Sequence, residues 1–169
     1  MTTDRQPVHT ARLTVPVDSG QLYLGDPATS DFRAAESAFE EAVRSGRFVG
    51  SAAGMIVIVT PAEDSAGTPV TVEVWSAQPP DDTADWDHEV DLDIDLPSGT
   101  LLVDSTTGPG DRLPVPADRY RIRVSGRGFT PFDGERGDPK ESYRIRLWPR
   151  TGPTPPVVRR SWPGWAAWS

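Results

Sequence analysis

Residues 86–96 read Trp-Asp-His-Glu-Val-Asp-Leu-Asp-Ile-Asp-Leu. Strict alternation predicts a β-strand with Val90, Leu92, Ile94 and Leu96 on one face and Glu89, Asp91, Asp93 and Asp95 on the other. Carboxylates at alternate strand positions stand roughly 6.8 Å apart, from a rise of about 3.4 Å per residue. That spacing is comparable with neighbouring phosphates along a nucleic-acid strand, so the row has the geometry to imitate one and occupy a nuclease's basic groove. It suits a metal poorly, because alternate side chains on an extended strand diverge too far to wrap one cation, and the loop glycine and bidentate glutamate of a calcium loop are missing. The same row has an architectural reading. Arg119, Arg121 and Arg123, and again Arg144 and Arg146, alternate with apolar residues on two later segments, and cross-strand pairing would neutralise both signs. Exposed pairs of this kind contribute at most about 1 kcal/mol each, but like-charge neighbours are penalised, which helps fix register. The loop before the strand has no opposing arginines nearby in sequence. Asp81, Asp82, Asp85 and Asp87, extended by Glu89 and Asp91, are therefore the candidate partner-binding carboxylates.

Little else in the chain can be assembled into a reaction centre. There is no cysteine and no Gly-x-Ser-x-Gly elbow. Of two histidines, His9 lies in the N-terminal lead and His88 falls on the apolar face with Val90, a position for a hydrogen-bonded core side chain rather than a base or ligand. No enzyme activity, cofactor or metal is expected. Residues 126–140 form a long Gly-rich connection without a phosphate-loop pattern, either a plain loop or a partner-contacting one, in which Arg127, Phe129 and Phe132 are the candidate contacts. Trp162, Trp165 and Trp168 recur every third residue near the C-terminus and can dock on their own domain, meet a partner or support self-association.

Twenty-five acidic against 17 basic side chains give a net charge of −8, which opposes direct binding to nucleic acid or an anionic membrane and favours a basic protein partner. The opening residues show neither the basic nor the apolar region of a signal peptide, and the longest apolar run, 55–59, is too short for a bilayer, so a cytoplasmic location is expected.

The elements that must position these residues are short. Eighteen prolines and 15 glycines among 169 residues favour strands joined by turns. Strands are predicted at 12–17, 21–24, 48–49, 55–60, 70–75, 86–96, 100–104, 119–125 and 141–148, with Pro97-Ser-Gly reading as a hairpin turn between the sixth and seventh. Pro16 marks the first as an edge or bent strand. One helix is predicted over 31–45, capped by Ser30 and Gly46, with Phe32, Ala35, Phe39, Ala42 and Val43 on its packing face. The fold class is mostly β: an antiparallel sandwich of eight to nine strands with one helix. It divides into a lead at 1–10, the domain at 11–148 and a Pro/Trp-rich tail at 149–169.

With the elements placed, the chain resembles the competence protein J (ComJ) family over about residues 11–148. The residues carrying this are Leu13-Thr-Val15, Gln21-Leu-Tyr-Leu24, the helix ending near Arg44, Val72-Glu-Val-Trp75 running into Pro79-Pro80 and Trp86, and Leu113-Pro-Val-Pro-Ala-Asp-Arg-Tyr-Arg-Ile-Arg123, like the family's Leu-Pro-Pro-Gly-Tyr entry into a late strand. The best-known member inhibits a DNA-entry nuclease. The resemblance implies an inhibitor or immunity-type protein whose partner is a basic nuclease or toxin. The alternative is a general β-sandwich interaction or structural module.

Overall fold

Apolar residues at every second position give each strand one water-avoiding side, and the chain buries those sides by facing two sheets together. The computed structural model describes residues 5–106, 110–130 and 140–168. In chain order the strands are β1 (His9–Val17), β2 (Gln21–Gly25), β3 (Val49–Ala52), β4 (Met55–Val59), β5 (Ser65–Val74), β6 (His88–Leu96), β7 (Thr100–Asp104), β8 (Asp111–Pro114), β9 (Asp118–Arg127), β10 (Ser142–Pro149) and β11 (Val157–Arg160). Helix α1 (Phe32–Ser45) lies between β2 and β3. One sheet runs β1-β5-β10-β9-β6-β11 and the other β3-β4-β2-β7-β8. Neighbours are antiparallel except β5 and β10, which are parallel. Val72, Leu92, Ile122 and Ile145 of the six-stranded sheet share one core with Leu22, Leu24, Ile58 and Leu101 of the five-stranded sheet.

The mostly-β sandwich with one helix is thus as the sequence predicts, with β8 and β11 added. Both additions are four residues long and flanked by proline, too short for alternation to register. Pro16 sits where the β1–β5 register shifts, on an edge strand that needs no donor there. The turn at Pro97-Ser-Gly does not make a hairpin, because β6 and β7 belong to different sheets. Gly99, at φ 73°, carries the chain from one layer to the other. Ile94 and Leu96 on one side of the turn, and Leu101 and Val103 on the other, then enter the core from opposite walls.

Asp31, not Ser30, caps α1: its carboxylate accepts the Ala34 N–H at 2.8 Å, while Ser30 donates to the Asp26 carbonyl. Gly46, at φ 72°, ends the helix as predicted. The buried stripe is Ala34, Ala35, Ala38 and Ala42 on the outer face of the five-stranded sheet, the first three beside Met55 and Val57 and Ala42 beside Phe48 and Val59. Phe32, predicted on the packing face, is 77% exposed, because the alanine stripe approaches the sheet more closely than a phenylalanine could. The result is three layers: helix, five-stranded sheet and six-stranded sheet. Among the described residues no helix is long and apolar enough to cross a membrane. The outer face of the six-stranded sheet remains, and it carries the charged residues.

Candidate functional site

The register of β6 against β9 sets Asp91 opposite Arg123, Asp93 opposite Arg121 and Asp95 opposite Arg119. Arg123 grips Asp91 with two hydrogen bonds, Nε to Oδ1 at 2.7 Å and Nη2 to Oδ2 at 2.9 Å, and is wholly buried. Arg121 meets Asp93 at 2.9 Å, and Asp95 takes Arg150 at 2.6 Å instead of its register partner. Glu89 is wholly buried as well, accepts from the Ser125 hydroxyl at 2.6 Å and from Arg159 Nε at 3.1 Å, and shares the one Thr83 hydroxyl proton, 2.6 Å away, with Asp81. The carboxylate row is therefore closed over by arginines from three strands, β9, β10's end and β11. Glu89 and Asp91 support the surface from beneath.

Residues 78–87 cross outside this row as a strap. Asp82 receives Arg144 at 2.6 Å and Arg146 at 3.1 Å, and Arg146 also donates to the Pro80 carbonyl at 3.1 Å. Burial raises the proton affinity of Asp82, but the Arg144 hydrogen bond and the two arginine charges outweigh it, so its carboxyl titrates below the ordinary value. Asp81 accepts the Thr83 hydroxyl and amide and lies 3.2 Å from Arg159. Those bonds from Thr83, and then Arg159, hold its carboxyl down at about 2. Arg160 ties the Ala84 carbonyl at 3.0 Å. Trp86 anchors the strap, buried, with the guanidinium carbons of Arg127 and Arg144 at 4.6 and 4.5 Å from its ring. The loop carboxylates, which have no opposing arginines nearby in sequence, receive them from β10 and β11, more than sixty residues away.

Beside the strap, over β1, β5 and β10, lies an open groove of about 560 Å³, lined by Arg12, Thr71, Glu73, Asp85, Trp86, Arg127 and Arg144 among others. Asp85 and Arg12 are exposed. Of the candidate residues, Asp82, Asp85 and Arg127 converge on this groove, and Asp81 stands outward on the strap. Asp87 instead turns to the Phe129 N–H at 3.1 Å. Phe129 is half-buried and packs inward, against Tyr143 and Trp162, rather than outward. Phe132 lies outside the described residues. Sequence reasoning missed Arg12 and Trp86. Alternation does turn Arg12 outward on β1, but nothing local tells that β1 neighbours β5 and β5 neighbours β10. Among the described residues no cluster of three or more His, Asp or Glu side chains can hold a metal ion.

The segment after Pro149, read as a tail, supplies β11 and then a short 3-10 turn, Pro163–Ala167. Trp165 is buried against Phe48 with the rings stacked 3.9 Å apart, and Trp162 and Trp168 are half-buried around it. His88 is buried and hydrogen-bonded, as its apolar-face position predicts.

A two-sheet sandwich with a helix over the smaller sheet and an arginine–carboxylate lattice outside the larger one defines the class of protein. No family model and no curated protein matches the sequence. Two solved structures share the fold. One is ComJ, inhibitor of the DNA degrading activity of NucA, from Bacillus subtilis, at a TM-score of 0.56 and 10% identity, covering 88% of this chain and all of that one. The other is described as crocagin biosynthetic gene J, at a TM-score of 0.54 and 16% identity, covering 84% of this chain and 97% of that one. At these identities the likeness is one of fold, and the family resemblance read from residues 11–148 holds at that level.

Proposed function

We propose that this chain is a non-enzymatic binding protein of the inhibitor or immunity type, which neutralises a basic protein such as a nuclease by covering its cationic surface. The observation that carries the reading is the shared fold with a nuclease inhibitor across nearly the whole chain, joined to a net charge of −8. The contact surface in this reading is the strap, with Asp81, Asp82 and Asp85 facing the partner and Arg127 at the groove beside them. Asp87 and Phe129 hold the rim in place, while Glu89 and Asp91 act from below by fixing Thr83 and Arg159. Long-range attraction between the acidic domain and a cationic partner speeds encounter and weakens as salt is added. Asp93 and Asp95, consumed by Arg121 and Arg150, belong to the sheet's architecture.

The test is capture of partners on the immobilised full chain, identification by mass spectrometry, and titration of the chain into the nuclease assay of any nuclease recovered. A basic nuclease whose activity falls to zero at one equivalent is the expected result. Recovery of no basic protein, or of a nuclease whose activity is untouched, would overturn the reading.

A further inference from the structure

The C-terminal turn lies over a histidine that no part of the charged surface uses. His88, the first residue of β6, is 4% exposed. Its Nε2 lies 2.6 Å from the Arg47 carbonyl oxygen, which can only accept, so Nε2 carries the proton. Nδ1 is then the lone-pair nitrogen, and it accepts the backbone N–H of Trp162 at 3.1 Å. One neutral tautomer satisfies both bonds. A protonated ring would set an N–H against the Trp162 N–H, across a distance that leaves no room for both.

The surroundings offer the imidazolium no compensation. On the helix side the Arg47 side chain is paired with Glu41. From β9 the residue opposite is Gly126, and the Arg127 guanidinium is packed on Trp86. Along β6 itself, Asp87 turns to the Phe129 N–H, and Glu89, on the opposite face, serves Thr83, Ser125 and Arg159. The C-terminal segment brings aromatic rings: Trp165 edge-on to the imidazole at 5.8 Å and Trp162 edge-on to Phe129 at 5.4 Å, with Arg160 bound to the Ala84 carbonyl. Burial accordingly lowers the proton affinity of His88, opposed only by the bond to Arg47. Trp165 is seated with its Nε1 buried and without a hydrogen-bond partner among the described residues, a desolvation cost that favours opening.

We propose that the C-terminal aromatic turn is a latch: it closes on neutral His88, and opens when that ring gains a proton, uncovering the apolar patch of Phe48, Ala42 and Val59 beneath Trp165. The sign follows from the depressed affinity of the closed state. Closure is favoured in full above the ordinary histidine value near 6.5 and is lost as pH falls below it toward the value of the closed form. This device does not rest on the proposed binding function or on any partner.

The full chain labelled with 19F-tryptophan tests it, with the Trp165 resonance assigned through Trp165→Phe. Between pH 7.5 and 4.5 that resonance should move to a solvent-exposed position with a midpoint below about 6.5 while the far-ultraviolet circular dichroism holds. His88→Gln can donate to Arg47 and accept from Trp162 at any pH, and should keep the latch shut throughout. Independently of that variant, protection of the Trp162 amide from hydrogen exchange in the native chain should drop at least tenfold along the titration of the His88 ring protons. A Trp165 signal that moves only when the sheet melts, or equally in His88→Gln, or amide protection that ignores the His88 titration, would overturn the proposal.

Discussion

A guanidinium with no exposure to water must be paired or it destabilises the state that buries it, and Arg123 is such a group. Its partner Asp91 supplies both hydrogen bonds. Asp91→Asn leaves the cation buried with half its compensation and is expected to lower unfolding free energy by about 3–5 kcal/mol in urea titration. Arg123→Met combined with Asp91→Leu removes both charges and should recover most of that loss, since a buried pair replaced by apolar volume is often near neutral. Glu141 presents the opposite case. It accepts the Ala62 N–H and the Tyr143 hydroxyl, but burial dominates and pushes its carboxyl up to about 7 from 4.5. The folded chain therefore holds this proton more tightly than the unfolded one. The stabilising contribution is complete below about pH 4.5 and is lost as pH rises through about 7. Glu141→Gln should flatten that decline in a series of urea titrations from pH 5 to 8, while an unchanged slope would show that another group causes it.

Packing of whole elements here depends on small residues and on late ones. A Cβ on Gly50 of β3 would lie 2.1 Å from the Ala38 carbonyl oxygen and 2.5 Å from the Ala42 nitrogen, so the helix must retreat to admit it. Gly50→Ala is expected to cost about 1–3 kcal/mol, visible as a lower denaturation midpoint with the helix signal weakened. At the other end of the chain, β11 is short and exposed on its outer side, yet its Arg159 reaches Glu89 at 3.1 Å and Asp81 at 3.2 Å. A chain ended after Pro149 loses Arg150 and Arg159 together and uncovers Glu89 and Asp91. Its melting temperature should fall well below that of the full chain, and a variant carrying only Arg159→Gln should fall by less.

For the molecule as a whole, the charges divide into those that hold the sheet and those that face outward, and reversal distinguishes them. Asp81→Lys with Asp85→Lys alters exposed carboxylates worth little to stability, so the melting temperature should shift by no more than a few degrees while affinity for a captured basic partner falls at least tenfold. Asp93→Lys faces both Arg121 and Arg150 and should lower the melting temperature without being needed for binding. Retained partner affinity after the double reversal would move the contact surface away from the strap. Several of these features were legible in the residues. Alternation is a local property, so the faces of β6, β9 and β10, the span of α1 and the inward turn of His88 followed from residue order. The architectural role of Asp93 and Asp95 followed likewise, once arginines of opposite sign were seen to alternate elsewhere, whereas Asp91, read as a candidate contact, proved to be buried against Arg123. Sheet order is not local. A parallel pairing of β5 with β10, and a β11 too short to announce itself, brought Arg144, Arg146 and Arg159 onto carboxylates that had no basic neighbours in sequence. Only the tertiary structure decided that the acidic entrance is a tied strap beside a groove, and that the tryptophans close over a neutral imidazole, because both depend on which distant strands the buried core makes adjacent.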